Sequence, residues 1–474
     1  MSSNRGSSGG SGSGSHHDHH DESTRHRISR IAGALGASMT PKYYRVGAPT
    51  SSTPSQATSS SPSSSHASSP ADRLLSISRQ LGGAVGSPTS IRQHSSQNNY
   101  SGQHSHPHAE AKQWERLPRF RDLPSEGGFP GCAWSVWGQG DQLGTLNMLT
   151  APVRARAAKE EIRTGVCVTL SWPMHLPLHA AFGRKGVEHT ARGKQGPQYA
   201  ERREAALHER RVAGEAVEDR SDQEGMPLAD DEIALNLQAG SQWDGLSHFG
   251  HLSLNCYYGG RSRKEIHDSF ANPDRPVDPR GERGPDLGIQ AWAQKGIAGR
   301  GVLLDVWGYL CRNNEGKPPY DPATTNAITL DQLRDCARAQ GVRFRQGDIL
   351  IIRTGWTYRY YNSSDAERRD GATGKKGYVG IEQGDAMLEW LWDNHFAAVA
   401  SDAPALERWP CPLGQTHLHE TLLAMWGMPI GEMFDLEDLT HHCLSNRRWT
   451  FYFSSWPLNL WGGVASTANA GATF

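Results

Sequence analysis

In the stretch "AGSQWDGLSHFGH", residues 239–251, a carboxylate and an imidazole stand four residues apart, Asp244 and His248, among glycines and aromatic rings. Carboxylate oxygen and imidazole nitrogen are borderline-hard donors suited to zinc, manganese or iron. Gly240 and Gly245 would let the backbone bend so that both side chains converge. The same residues also fit a structural turn closed by an Asp–His hydrogen bond, and the pattern alone leaves both readings open. A second stretch, "THLHETLLAMWGMPIGEMFDLEDL" (416–439), places His419 at the start of an amphipathic segment with Leu422, Leu423 and Trp426 at helical spacings. Glu432 follows the glycine and proline that end it. A histidine opening a helix and a glutamate on the next strand can face one cavity. Helix capping by His419 with a surface Glu432 is the plain alternative, and His417 and Glu420 are rivals that spacing does not dismiss. Trp243, Phe249 and Trp356 are candidate walls of an aromatic substrate pocket, in a chain with fifteen tryptophans where chance proximity is common.

Those side chains need a scaffold, and the chain from "WERLPRF" at 114 onward has the composition of one. The runs "GVCVTLSW" (165–172), "RGVLLDVW" (300–307), "DILIIRTGW" (348–356) and "FAAVASD" (396–402) read as buried strands. Helices are predicted between them. "TAPVRARAAKEEIRTG" has Thr150 as cap, Pro152 in its first turn and Gly165 as its stop. "TLDQLRDCARAQG" pairs Thr329 with Gln332 in a capping-box pattern and stops at Gly341. "GDAMLEWLWDNH" brings Met387, Trp390 and Leu391 to one face. Alternation of strands and helices argues for an α/β fold in a single domain over 111–474. Within it the densely charged section 200–231 reads as a solvated helical insertion, with a docking surface as the lesser alternative.

Residues 1–110 are different material. Serine, glycine, histidine and asparagine dominate there, and they bury too little apolar area to offset the entropy of ordering them. A disordered low-complexity tail is the expectation. The His16–Asp21 cluster reads as composition rather than a metal site. The formal net charge of -1, from 49 basic and 50 acidic residues, gives no bulk reason to expect nucleic acid or an anionic membrane as partner. Seven cysteines are scattered singly, which favours free thiols in a reducing, cytoplasmic setting. No apolar run of membrane-spanning length and no secretory signal order is present in the sequence.

The chain from about 130 to 474 resembles the cyclase family of metal-dependent hydrolases, whose best-known activity is kynurenine formamidase. The family signature reads His-x-Gly-Thr-His-x-Asp-x-Pro-x-His. Here Gly240 and Ser241 match the Gly-Thr pair, Asp244 the aspartate and His248 the last histidine, while Gln238 and Gln242 stand at the first two histidine positions. Gly245-Leu246 replaces the stretch holding the proline. Blocks such as "GDQLGTLNMLTAP" (140–152), "GRGVLLDVWGY" (299–309), "SDAPALE" (401–407) and "WPLNLWGGVASTANA" (456–470) match in order. The "SQWDGLSH" form looks like a separate branch of the family.

The resemblance implies a barrel-like mixed β-sheet flanked by helices and a homodimer. It also implies Asp244, His419 and Glu432 as metal ligands and His248 as the acid–base residue. An amide ligates weakly and cannot shuttle a proton, so the two glutamines argue for one divalent ion, manganese or zinc, rather than two. Gln242 would assist that ion or bond a water on it. A small carbonyl substrate is implied, an arylformamide such as N-formyl-kynurenine in tryptophan catabolism. Ester or lactone hydrolysis, dehydration in a secondary pathway, and a non-catalytic binding protein with a decayed site are the alternatives.

Overall fold

Three of the four apolar runs, 300–307, 348–356 and 396–402, supply strands of the parallel heart of a nine-stranded sheet. The fourth, 165–172, supplies only Cys167–Thr169, an antiparallel edge strand that is exposed or half-buried instead of buried. In chain order the strands of the sheet are β1 (Cys167–Thr169), β2 (Gln242–Asp244), β3 (Ile297–Leu304), β4 (Ile349–Ile352), β5 (Ala398–Ser401), β6 (Ile430–Glu432), β7 (Thr450–Ser455), β8 (Ala465–Thr467) and β9 (Ala470–Thr473). Their spatial order is β1-β9-β7-β3-β4-β5-β6-β2-β8. Strands β3, β4, β5 and β6 run parallel, and every other pairing in the sheet is antiparallel. The parallel strands are buried throughout, which explains why β4 and β5 do not alternate between apolar and polar residues.

This computed structural model describes residues 116–193, 197–216, 228–270 and 287–474. All of them lie in one unit, 105–474. The tail expected over 1–110 lies outside the described residues, as does the His16–Asp21 cluster.

The sheet curls. Beyond β1 the chain runs on past the other side of the sheet: Ser171 bridges Phe434, just after β6. Asp435 N–H donates to the Leu170 carbonyl (2.9 Å), and Trp172 N–H donates to Ser241 Oγ just before β2 (2.8 Å). The result is the mixed, barrel-like α/β architecture read from the sequence.

Helices flank it for the local reasons the sequence gives. Ala151–Glu161 packs against β3 and β7 and carries Pro152 in its first turn, but it ends four residues before Gly165, where Ile162 is already extended. Leu330–Ala339 starts with the full capping box: Thr329 Oγ1 accepts from Gln332 N, and Gln332 Oε1 accepts from Thr329 N. Asp385–Asp393 buries Met387, Leu388, Trp390, Leu391 and Trp392. Of the charged insertion, Pro197–Val212 is helical and beyond 200 largely exposed. An exposed antiparallel pair, Glu188–Gly193 with Ala229–Ala234, flanks it; residues 217–227 lie outside the described residues. No helix among the described residues is long and apolar enough to cross a membrane.

One element differs from its expected form. The segment after His419 is not amphipathic: Glu420–Trp426 is a π-helix with every residue buried. Residues 120–137 close over its outer side. Trp134 Nε1 donates to the Ala424 carbonyl (2.7 Å), Trp137 Nε1 to the Trp426 carbonyl (3.0 Å), and Trp426 Nε1 to the Gly131 carbonyl (2.8 Å).

Candidate metal centre

The antiparallel pairing of β2 with β6 sets Gln242 opposite Glu432 and Asp244 opposite Ile430. Side chains alternate across a strand, so Gln242, Asp244 and Glu432 share one face and Trp243 takes the other. His419, at the mouth of the π-helix, enters the same space. Ligand atoms of Asp244, His419 and Glu432 all lie within 4.8 Å of one another, and all three residues are buried. His419 Nε2 is 3.2 Å from Glu432 Oε1 and 3.7 Å from Asp244 Oδ2.

Gly240 and Gly245 do not serve here as left-handed bends. They allow close backbone approach: a Cβ at either would stand 2.7 Å from a carbonyl oxygen, that of Leu176 or Val464. At Gly431 a Cβ would stand 2.7 Å from Ala400 Cβ and 3.0 Å from the Trp243 ring, so β6 can lie on its neighbours only without a side chain there.

A residue the sequence reading gave no role orients the histidine. Glu407 Oε1 accepts from His419 Nδ1 at 2.7 Å and from its backbone N–H at 3.1 Å; Oε2 accepts from Leu418 N and Gln383 Nε2, each at 2.8 Å. This carboxylate–histidine pair fixes Nδ1 as the protonated nitrogen and turns Nε2 toward Asp244 and Glu432. Glu407, Cys411 and His417 form a second group close enough to hold an ion. Both Glu407 oxygens are already taken, however, so its work is to orient His419. The block "SDAPALE" contained the signal: a lone glutamate closing a buried strand and its turn.

Both glutamines point into the centre. Gln238 Nε2 donates to Asp244 Oδ1 (2.8 Å) and lies 2.9 Å from His248 Nδ1. Gln242 Nε2 donates to Glu432 Oε2 (2.8 Å) and Asp244 Oδ1 (3.1 Å). Two buried acceptors here have no hydrogen-bond partner, Asp244 Oδ2 and Gln242 Oε1. Leaving a buried carboxylate oxygen unpaired is costly unless a cation meets it. With one imidazole nitrogen and two carboxylates, the donor set fits a divalent ion of the zinc or manganese type.

The charges interact strongly. Burial alone would raise the Asp244 carboxyl, yet the neighbouring His248 and His419 hold it at about 2. Glu432 is pushed up to about 7 by burial and by the charge of Asp244. Burial opposes a charge on His419, but its bonds to Asp244, Glu407 and Glu432 raise its pKa well above the ordinary value. His248 goes the other way: burial, helped by His419 and Arg184, lowers its pKa and outweighs Asp244. A neutral His248 stands 3.8 Å from Asp244 Oδ1, on the rim of the ligand set.

The aromatic residues separate. Phe249 lies beside the ligand set, its ring centroid 5.3 Å from His419, 5.7 Å from His417 and 6.3 Å from His248. Trp243 does not line a pocket. It is fully buried across the sheet, edge-on to Phe434 and Phe453, with Nε1 donating to Ser455 Oγ. The period-two alternation that sends Asp244 into the centre sends Trp243 into the core. Trp356 is buried against Tyr378, at the far end of a chain of rings that runs through Phe182, Trp409 and His417 to Phe249. Of the rivals, Glu420 is turned away onto the Leu252 and His417 backbone N–H groups, while His417 packs between Trp409 and Phe249.

Residues 149–408 match a family model described as a putative cyclase. Among solved structures, one described as a novel cyclase is 29% identical with a TM-score of 0.56, covering 72% of this chain and 99% of its own. Isatin hydrolase A from Ralstonia solanacearum is 14% identical with a TM-score of 0.39, over 67% of this chain and 94% of its own. A potential metal-dependent hydrolase with cyclase activity is 12% identical with a TM-score of 0.33, over 65% and 98%. None of the curated proteins matches the chain.

Proposed function

The chain belongs to the putative cyclase family, and on that premise we propose that it is a metal-dependent hydrolase of a small carbonyl substrate, an arylformamide of the N-formyl-kynurenine type. The observation that carries this reading is the convergence of Asp244, His419 and Glu432 around a buried carboxylate oxygen that no hydrogen bond satisfies. These three residues would hold one divalent ion. Such an ion supplies Lewis acidity toward a carbonyl and lowers the pKa of water.

The protein's own groups supply the rest. Glu407 fixes the tautomer of His419, so a neutral Nε2 is available for ligation when its proton leaves. His248 has a lowered pKa and is neutral near pH 7, so it can accept a proton from water and return it to a leaving nitrogen or oxygen. Gln238, bonded to Asp244 and facing the His248 ring, sets the orientation of that base. Phe249 lies beside both histidines, a flat apolar surface against which an aryl group can stack.

The test is hydrolysis of N-formyl-kynurenine, phenyl acetate and a simple aryl lactone by protein stripped with chelator and then reloaded with manganese or zinc. The reading expects turnover that vanishes on stripping, returns on reloading, and is greatest on the formamide. Turnover unaffected by stripping would overturn it.

A further inference from the structure

The short turn Ala181–Gly183 carries a feature that the metal chemistry leaves unused. Phe182 adopts φ of +59°, a left-handed conformation costly for an aromatic residue, yet its ring is 41% exposed. Burial therefore does not explain the strain. The turn sets the ring edge-on to Tyr378 and Trp409, at centroid distances of 5.5 Å each. From there the rings of Trp409, His417 and Phe249 lead inward to His419. Two residues on, the Arg184 guanidinium lies 5.0 Å from the Phe182 centroid. Its Nη1 donates to the Gln238 carbonyl at 2.9 Å, and Gln238 is the residue whose amide bonds Asp244.

Among the described residues no carboxylate pairs with Arg184. A half-buried guanidinium stacked on a ring and held by one carbonyl keeps N–H donors free for a planar anion. It lies at the outer end of an aromatic wall whose inner end is the ligand set. Its charge also reaches that set, acting on Asp244, His248 and Glu432. We infer that Arg184, presented by the strained Phe182 turn, is a specificity-determining residue that takes the anionic group of an aromatic acid while the carbonyl to be cleaved lies at the ligand set. The substrate class is thereby narrowed to aryl formamides or esters that carry a carboxylate, an inference resting on the hydrolase reading above.

The test compares wild type with Arg184→Met, which keeps a long apolar stem, and Arg184→Lys, which keeps the charge. Turnover is measured on N-formylanthranilate and on formanilide, which lacks the carboxylate. Binding of anthranilate and aniline is measured by tryptophan fluorescence, and metal content by elemental analysis. Arg184→Met should lose about 10- to 100-fold in anthranilate affinity, the range of a charge-assisted hydrogen bond. It should lose a similar factor in kcat/KM on N-formylanthranilate, carried by KM, and a clearly smaller factor on formanilide, with metal content measured alongside. Arg184→Lys should recover part of the loss. Equal losses on both substrates, as when Arg184 only props Gln238, would overturn the inference; so would no loss on either. If wild type cleaves neither formamide, the hydrolase reading fails, and the anthranilate–aniline comparison still decides the role of Arg184.

Discussion

Two buried ionic clusters lie on the same curled sheet, one beside β3 and β7, the other at β2 and β6. In the first, Arg300 donates through Nε to Glu161 Oε1 and through Nη1 to both oxygens of Asp348, while Arg448 Nη2 and Thr450 Oγ1 bond Glu161 Oε2. Two guanidiniums meet two carboxylates, and every carboxylate oxygen has a donor. In the second, Asp244, Glu432 and Glu407 surround the single imidazole of His419, and Asp244 Oδ2 has no hydrogen-bond partner, with His419 Nε2 3.7 Å away. The first cluster is complete as a fold element. The second falls short of positive charge by about what a divalent ion brings. A proton on His419 and the amide hydrogens of the two glutamines stand in for that charge without replacing it.

The largest expected effect falls on a residue at the edge of the second cluster. His248→Ala should keep its ion and its fold while turnover falls by about 10²- to 10⁴-fold, the range for a general acid–base group. Single-turnover kinetics on the metal-loaded variant check this, and a variant with unchanged turnover would remove His248 from the mechanism.

A pair of isosteric changes sets the clusters directly against each other. Glu161→Gln strips one charge from the complete cluster and leaves Arg300 and Arg448 short of a partner, so unfolding in urea should show a loss of about 3 kcal/mol. Asp244→Asn in metal-free protein removes a carboxylate from a cluster that has too many, so its stability should be equal to wild type or higher. Equal losses in both variants would mean that the clusters do the same work.

A third effect concerns protons. Glu432 is raised to about 7 and His419 well above its ordinary value, so near neutral pH both hold protons that an ion must displace. Asp244 is already ionised. Proton and metal compete for the same lone pairs, so affinity should rise with pH from 6 to 8, by about tenfold per unit for the His419 proton and by a further contribution from Glu432 that fades above about 7. Titrations with zinc or manganese in weakly chelating buffers check the slope. A flat profile would mean that these two groups do not bind the ion.

The difference between the clusters also explains how far the sequence could be read. Apolar runs and caps located β3, β4 and β5 and the Thr329 helix because their causes are local. Asp244 is legible through the signature, and His419 and Glu432 through their positions in the resemblance to the family; the structure brings the three together. Trp243 was misplaced because its neighbours drew attention to chemistry, whereas the period of a strand decides which face each side chain takes. The π-helix was read as amphipathic because residues nearly three hundred positions away cover its outer side. Glu407 stands in the block "SDAPALE", but its role is not legible there because its partner, His419, lies across a loop twelve residues on. Arg184 escaped notice because a strained turn has no sequence period at all. Contacts that close over long separations leave little local trace.

The account stands or falls on which side chains hold the ion. Wild type, His419→Ala and His248→Ala should be purified in parallel without added metal, loaded with one manganese or zinc equivalent, desalted and measured by elemental analysis. The account predicts about one ion per chain for wild type and for His248→Ala, and close to none for His419→Ala, since a set of three ligands loses most of its affinity with any one. A metal-free His248→Ala beside a fully loaded His419→Ala would contradict it, exchanging the roles of ligand and base.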